Sequence, residues 1–297
     1  MVPRTGAAER LPLQFEILGQ RVAVACSDPG ARALLLDNFG PMARSRGAAP
    51  VRLRYSIAAR PRASYVVSRH RGPKHTGDLE DVLFFLEQDI TVELQKARPD
   101  LLFLHAATLE RRGCAVVIAG ESGTGKSTTT WGLLHRGFGY LSDELSPVDM
   151  DTLSVHPYAH ALCLKGPPPC YPLPDRAIRL RRTVHVAAAD LPAPTLAQAR
   201  RIQALFLLDR RTARAAGTVR RLTTGEAVAR LYVTVLNALA HSARGIDAVL
   251  RIASSVPCYA IAAGALETTC AVIGTTVDRH IPAAPRSKRA KPRDGRM

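Results

Sequence analysis

Residues 114–136 read CAVVIAGESGTGKSTTTWGLLHR, an apolar run followed by a glycine-rich loop and a helix-like segment. Residues 120–127 match the phosphate-loop pattern G-x-x-x-x-G-K-[ST] in full, in the strand, loop and helix context that the pattern requires. Glycines let a backbone turn its N–H groups inward around a phosphate and approach it closely. The stretch therefore predicts a nucleotide site made of consecutive residues: Gly120, Glu121, Ser122, Gly123, Thr124, Gly125, Lys126, Ser127 and Thr128.

Lys126 and Ser127 hold the two positions of this pattern that carry side-chain chemistry. Lys126 begins a helix whose positive dipole end faces the bound anion, and its ammonium is expected to reach the β- and γ-phosphates. The hydroxyl of Ser127 is expected to be a ligand of Mg²⁺. The predicted ligands are therefore ATP and Mg²⁺, with Lys126 among the catalytic residues.

A carboxylate is the second requirement, because phosphoryl transfer needs a metal ligand and, for a hydroxyl acceptor, a group that takes its proton. Asp143 and Glu144 follow the lysine of the loop after a helix and a glycine-rich reversal of the chain. Asp209 ends the apolar run FLLD, a pattern typical of many phosphate-loop ATPases. We favour Asp143, since an adjacent acidic pair can divide the base and metal roles. Asp209 remains the alternative.

His105 lies in FLHAATLE, the apolar run before CAVVIAG. The turn residues 111–113, Arg-Arg-Gly, separate the two runs and predict a hairpin whose second strand ends at the phosphate loop. A lone histidine in an apolar strand is usually a core residue with satisfied hydrogen bonds. The residues alone therefore leave the role of His105 open.

The first 97 residues predict a small N-terminal α+β domain. Residues 98–100, Arg-Pro-Asp, end its last helix, and we place the domain boundary there. A polar stretch at 71–77 is expected to link its last strand to that helix. The other expected elements are strand pairs at 13–19 with 21–26 and at 51–59 with 63–70, a helix from Pro29 with Ala33, Leu34, Leu36 and Phe39 on its apolar face, and a helix at 79–97.

Residues 98–280 predict a larger domain around the phosphate loop. Residues 137–149 indicate a turn, a strand, a turn and a strand, and residues 201–209 a buried strand. The proline-rich residues 156–175 predict an irregular loop that faces the substrate. Thr223 and the glutamate three positions later predict a capping box for a helix over about 225–240.

Charge is the unusual feature of the composition. The chain has 41 Lys and Arg against 25 Asp and Glu, a formal net charge of +16. Part of this excess lies in residues 281–297, which lack apolar periodicity and predict a disordered basic tail. Aromatic residues make up only 5% and do not alternate with arginine, which argues against nucleic acid as a partner.

Compartment and partners follow from what the composition lacks. No apolar run approaches the roughly 18 residues that a membrane span needs, and the N-terminus has no apolar signal-peptide core. The six cysteines form no CxxC pair and are expected to be reduced, structural thiols. We therefore expect a cytoplasmic protein without a membrane partner. The sequence leaves the oligomeric state open.

The order of these motifs resembles the HPr kinase/phosphorylase superfamily. Members of that superfamily have a histidine and a short hairpin, then G-x-S-G-x-G-K-S, a helix, R-G-H/F and an acidic pair. Here these stand as His105, GESGTGKS, Arg136-Gly137-Phe138 and Asp143-Glu144. The sequence is more similar still to the HPr-kinase-related kinases of peptide-modification clusters, including lasso-peptide clusters, which share the string LHAA…SGTGKST…LSDE.

The resemblance implies an α/β fold with a P-loop kinase core of the HPr kinase and phosphoenolpyruvate carboxykinase type. It also implies that Asp143 is the base for the acceptor hydroxyl, Glu144 a magnesium-associated acid and His105 a group near the transferred phosphate. The E-I-R-G element of the bifunctional enzymes stands here as residues 163–166, Cys-Leu-Lys-Gly. A thiol is a poor ligand for Mg²⁺, which argues against phosphorylase activity, whereas Lys165 keeps a positive charge for a phosphate.

These features predict an ATP–Mg²⁺-dependent kinase that phosphorylates a hydroxyl, with serine expected, on a small protein or precursor peptide. One alternative is a small-molecule kinase on the same core. Another is a nucleotide-binding accessory protein of a peptide-maturation complex.

Overall fold

The computed structural model describes residues 11–44, 50–209, 217–241 and 243–281. Over these residues the chain is a mixed α/β protein whose strands form three sheets. The predicted basic tail lies outside the described residues, apart from Ile281. Among the described residues, no helix combines the length and the hydropathy that crossing a bilayer requires.

The part before residue 98 is one five-stranded sheet with two helices, in the order β1-β2-β3-β4-β5. Both predicted strand pairs are confirmed as antiparallel hairpins, and β2 and β3 join them in parallel. The predicted helix 79–97 is confirmed at both ends, with Asp78 as its N-cap. The elements are β1 (Leu13–Ile17), β2 (Gln20–Cys26), α1 (Pro29–Phe39), β3 (Leu53–Arg60), β4 (Ser64–Arg69), β5 (Lys74–Gly77) and α2 (Leu79–Ala97).

Two expectations for this part were wrong. The polar stretch 71–77 contains the edge strand β5, which pairs with β4 through its backbone while most of its side chains are exposed, so no apolar alternation marks it. In α1, Ala33 and Leu36 are exposed. The buried face instead includes Leu35 and Asn38. Because one buried position is polar, the pattern of apolar residues alone does not identify this face.

The part after residue 98 surrounds an eight-stranded sheet in the order β10-β9-β6-β7-β14-β16-β15, with β8 paired to β6. The smaller third sheet has the order β11-β13-β12. The elements are β6 (Leu101–Arg111), β7 (Cys114–Gly120), α3 (Lys126–Leu134), β8 (Gly139–Ser142), β9 (Leu145–Asp149), β10 (Ser154–Val155), β11 (Leu162–Leu164), β12 (Ile178–Arg179), β13 (Val184–Val186), β14 (Arg200–Asp209), β15 (Val219–Arg221), α4 (Thr224–Tyr232), α5 (Ala238–His241), α6 (Ala243–Ser255), β16 (Cys258–Ala262) and α7 (Leu266–His280).

β7 lies in the middle of the large sheet and is covered on both faces. Val116 and Ile118 belong to a core shared with α3 and α7, whereas Val117 belongs to a core shared with α4 and α6. A strand buried on both faces must be apolar at every position, which explains the unbroken run AVVIAG. The predicted hairpin of β6 and β7 is confirmed, and β14 continues the sheet in parallel on the other side of β7.

Two expectations for this part were also wrong. The segment 156–175 is only partly a surface loop, because residues 158–162 are buried and lead into β11. The predicted helix 225–240 ends at Tyr232, although its capping box is confirmed. The next residues leave the helix because they bond to β6: the N–H of Leu236 donates to the carbonyl of Phe103 at 2.8 Å.

The two parts of the chain share one hydrophobic core across residue 98. Leu86 and Ile90 of α2 belong to the same buried cluster as Phe103 of β6, Leu145 of β9 and Tyr158. The helix that ends the N-terminal part is therefore packed against β6 and β9, the strands on either side of the acidic turn, and β6 pairs with the strand that leads into the phosphate loop.

Candidate phosphate-binding site

The phosphate loop connects the end of β7 to the start of α3. Gly120, Gly123 and Gly125 have φ angles of +152°, +83° and +96°, which L side chains rarely adopt. At Gly120 there is also no room, because a Cβ would lie 2.8 Å from the carbonyl oxygen of Leu208 and 2.9 Å from Oγ1 of Thr124. Glycine at position 120 is therefore required by both conformation and packing.

Lys126 is buried at the start of α3 with its ammonium inside the loop. Nζ donates to the carbonyl oxygens of Gly120 at 2.9 Å and Glu121 at 3.2 Å. Burial lowers the pKa of Lys126, and the charges of Asp143 and Glu144 raise it. The sequence separates this lysine from the acidic pair by a helix and a strand, and the fold brings them into electrostatic contact.

Asp143 lies in the turn between β8 and β9 and is completely buried. Its Oδ2 accepts a hydrogen bond from the backbone N–H of Cys163 at 3.3 Å. Its Oδ1 is buried and has no hydrogen-bond partner within the described ranges. Burial raises the pKa of Asp143 to about 8, with a further rise from Glu144, and the Ser127 hydroxyl and Lys126 act in the opposite direction.

β6 holds the acidic turn in place by pairing with both β8 and β9. His105 of β6 lies opposite Leu145, one residue after Glu144. Burial and the charge of Lys126 lower the pKa of His105, whereas Glu144 raises it. Glu144 itself is exposed to solvent. The structure thus places His105 and Glu144 beside the phosphate loop.

Lys165 follows β11 and reaches the loop from another part of the chain. Its Nζ donates to the hydroxyl of Ser122 at 3.1 Å. Lys165 lies close enough to Lys126 that its positive charge is one of the smaller influences that lower the pKa of Lys126. Two ammonium groups on one glycine-rich loop make a strongly anion-attracting site.

Asp209, the other candidate carboxylate, is held differently. It ends β14, and its Oδ1 accepts from Nη1 of Arg230 at 2.7 Å. The charges that influence Lys126 are those of Asp143, Glu144 and Lys165. The structure therefore places Asp143 with the loop lysine and Asp209 in an ion pair at the side of the loop.

Two clefts flank the loop, and Ser122 and Thr124 line both of them. The larger cleft has a volume of about 780 Å³ and includes His105, Gly120, Glu121, Asp209, Arg230 and Leu236. The smaller cleft has a volume of about 530 Å³ and includes Gly125, Thr128, Ala263, Leu266 and Thr269. The phosphate loop therefore forms a wall between two separate spaces.

The oxygen atoms near the loop fit a magnesium ion better than a softer metal. Mg²⁺ usually binds one or two carboxylates, substrate phosphates and several waters, rather than a cage of protein ligands. The described part of the chain has no group of three or more His, Cys, Asp or Glu side chains arranged for a metal. Ser127, Glu144 and the unpartnered Oδ1 of Asp143 supply oxygen donors of the required kind.

One acidic residue near the site was not predicted. Glu87 of α2 has a buried Oε1 without a hydrogen-bond partner among the described residues, and burial, followed by the charge of Glu144, raises its pKa to about 8. Its position in the sequence could have indicated burial, since Glu87 falls on the same helix face as the buried residues Leu83, Ile90 and Leu94.

No protein-family model matches the chain. No curated protein matches it either. The function is therefore inferred from the motifs and from the geometry of this site.

Proposed function

We propose that the protein is an ATP–Mg²⁺-dependent kinase that transfers the γ-phosphate to a hydroxyl, with serine expected, of a small protein or peptide. The observation that carries the proposal is the buried Asp143, which has one unpartnered oxygen and interacts with Lys126 and Ser127 of a complete phosphate loop. The proposal includes a P-loop kinase core of the HPr kinase and phosphoenolpyruvate carboxykinase type. The antiparallel strand that precedes the loop-bearing strand supports that core.

In this proposal the loop binds the triphosphate. The N–H groups of residues 120–128 and the ammonium groups of Lys126 and Lys165 hold the phosphate oxygens. Ser127 and Glu144, with Asp143 beside them, hold Mg²⁺. When bound, the ion neutralises charge on the β- and γ-phosphate oxygens.

Asp143 then acts as the base. Its carboxylate takes the proton of the acceptor hydroxyl while the hydroxyl oxygen forms a bond to the γ-phosphorus. The bond from that phosphorus to the β,γ-bridging oxygen breaks, and ADP leaves with the electron pair. A raised pKa suits this role, because a carboxylate with an ordinary pKa near 4 is a weak base at neutral pH.

The nucleoside and the acceptor would bind in different clefts, on opposite sides of the loop. Thr128 directly follows the metal-binding position of the loop and lines the smaller cleft, which we assign to the nucleoside. His105 lines the larger cleft, which we assign to the acceptor. The apolar side chains of Leu207, Val233 and Leu236 around this second cleft suit an acceptor whose hydroxyl is flanked by apolar groups.

A small-molecule acceptor is the second candidate. The larger cleft, at about 780 Å³, falls within the range of about 300–1,000 Å³ that is typical of small-molecule sites. Peptide and small molecule are therefore to be tested side by side.

The experiment incubates the protein with γ-labelled ATP, Mg²⁺ and either a library of serine-, threonine- and tyrosine-containing peptides or a panel of hydroxylated metabolites. We expect label on a peptide hydroxyl, and loss of transfer in Asp143→Asn with ATP binding retained. Label on a metabolite alone would favour the second candidate. Transfer by Asp143→Asn at the normal rate would contradict the base assignment. ATP binding without transfer to any acceptor would support a nucleotide-binding accessory protein.

A further inference from the structure

The orientation of Asp143 depends on the small sheet. The N–H that bonds to its Oδ2 belongs to Cys163 of β11. In the described structure β11 pairs with β13 alone, with Cys163 directly opposite His185. The position of β13, which includes His185, therefore sets the position of the strand that holds the carboxylate.

His185 is buried and bonded through both ring nitrogens. Nδ1 lies 2.8 Å from Oδ1 of Asn38, and Nε2 lies 3.0 Å from Oγ1 of Thr183 and 3.7 Å from Sγ of Cys163. The amide nitrogen of Asn38 donates to the carbonyl of Leu34, so its Oδ1 faces the ring as an acceptor. Nδ1 of His185 accordingly carries the proton. Burial, followed by the charge of His160, lowers the pKa of His185 to about 4, so the ring is neutral.

Asn38 is a completely buried residue of α1, in the N-terminal part of the chain. Besides bonding to His185, it accepts a backbone hydrogen bond from the N–H of Ala161 at 2.8 Å. Ala161 directly precedes β11. Asn38 of α1 thus bonds to His185 of β13 and to the residue immediately before β11.

A second N-terminal residue holds the segment that leads into β13. Glu80 of α2 is buried and accepts from Oγ1 of Thr183 at 2.7 Å. It also accepts from the backbone N–H of Arg182 at 3.1 Å. Thr183 in turn lies against His185, so α1 and α2 fix β13 from two directions.

We propose that Asn38, His185 and Glu80 are positioning residues through which the N-terminal part of the chain orients Asp143 for proton abstraction. The inference rests on the proposed function, in which Asp143 is the base. Outer partners that orient a functional side chain typically change activity about 10–100-fold when removed. The N-terminal sheet is on this view part of the catalytic framework and not an independent module.

The kinetic test compares Asn38→Leu with Leu36→Ala, an exposed position on the same helix. We expect Asn38→Leu to lower kcat about 10–100-fold with little change in the KM for ATP, and the control to behave as the parent protein. The same substitution in an Asp143→Asn background should have no further effect on the residual rate. An equal loss of rate in both backgrounds would overturn the proposal.

A second measurement does not depend on transfer. Nitrogen-15 NMR should show the backbone amide resonance of Cys163, whose N–H donates to Oδ2 of Asp143, shifted in Asn38→Leu and unchanged in Leu36→Ala. An unshifted Cys163 amide in Asn38→Leu would overturn the proposal even if the acceptor were never found. Glu80→Gln, which keeps the shape of the side chain, replaces Asn38→Leu if that variant does not fold. Absence of transfer in the parent protein together with the expected amide shift would instead count against the proposed function alone.

Discussion

The ammonium of Lys165 lies 3.1 Å from the hydroxyl of Ser122, although the two residues are 43 positions apart in the chain. The phosphate loop is therefore closed from outside by a positive charge that does not belong to its motif. Its neighbour Lys126 is held inside the loop by two carbonyl oxygens. Anion binding at this loop is thus divided between a lysine inside it and a lysine at its rim.

Replacing Lys165 should weaken nucleotide binding without abolishing it. Lys165→Ala removes a point charge from the phosphates, and we expect the Kd for ATP to rise about tenfold, since a charge-assisted hydrogen bond contributes on the order of 1.5 kcal/mol. The measurement is isothermal titration with ATP and Mg²⁺ at several salt concentrations. Lys96→Ala, an exposed lysine of α2, is the control. A Kd equal to that of the parent protein would remove Lys165 from the site.

The glycine at the start of the loop should tolerate no side chain. Gly120→Ala combines a φ of +152° with contacts of 2.8 and 2.9 Å, so we expect it to lose ATP binding and to lower the unfolding free energy by about 2 kcal/mol or more. The matched control is Gly113→Ala in the β6–β7 turn, where φ is +84° but no atom lies within 4 Å of the added carbon. It should lose only about 1 kcal/mol. Thermal unfolding and ATP titration of both variants check this, and equal losses would show that packing at Gly120 is unimportant.

The strands beside the loop could be predicted because burial on both faces leaves a strong signal. β7 is apolar throughout, and α2 has a clear buried stripe. β5 could not be predicted, since its side chains carry no burial pattern and only its pairing with β4 defines it. Helix α4 ends where backbone hydrogen bonds to β6 replace the helical ones. The helix propensity of the local sequence could not predict this end, because it does not depend on such tertiary bonds.

The candidate site, like the fold, could be predicted only in part. The loop and the acidic turn follow from spacing, because two glycines reverse the chain after α3 and return it to the loop. The bond between Asp143 and Cys163 could not be foreseen, since it depends on a sheet whose strands are two or three residues long. Strands of that length are too short for a period of two to be recognised. Asn38 was missed because it is a polar residue on a buried helix face.

Activity should increase with pH up to about 8. Asp143 must be ionised to accept a proton, and burial raises its pKa to about 8, so kcat/KM should rise through that value and then level off. The measurement is a pH profile of kcat/KM under limiting ATP and acceptor. A profile that is flat between about pH 6 and 9 would show that a group with an ordinary carboxyl pKa, or none, acts as the base.

The raised pKa of Asp143 also predicts that stability falls with rising pH, whereas activity rises. A carboxyl whose folded-state pKa lies above its unfolded value of 3.8 contributes stability that is complete below about pH 4 and is lost as the pH rises to about 8. Asp143→Asn should therefore gain stability relative to the parent protein over this range, by at most about 1.4 kcal/mol per pH unit. Glu87, whose pKa is also about 8, is present in both proteins, so its contribution to the pH dependence cancels in the difference. Denaturant unfolding of the two proteins at about pH 5 and pH 8 measures the difference in their free energies of unfolding. A difference that is the same at both pH values would mean that the pKa of Asp143 is not raised.

The two candidate carboxylates should respond differently to the same conservative change. Asp209→Asn weakens an ion pair with Arg230 in which both side chains are more than a third exposed, so we expect a loss of stability below about 1 kcal/mol and nearly unchanged kcat. Because both residues line the larger cleft, the KM for the acceptor should rise instead. Asp143→Asn should lower kcat about 10²–10⁴-fold, the usual contribution of a positioned base. Steady-state kinetics with ATP and acceptor varied separately distinguishes the two effects. If Asp209→Asn showed the larger loss of kcat, the acceptor proton would be taken at the end of β14 and Asp143 would be left with the metal.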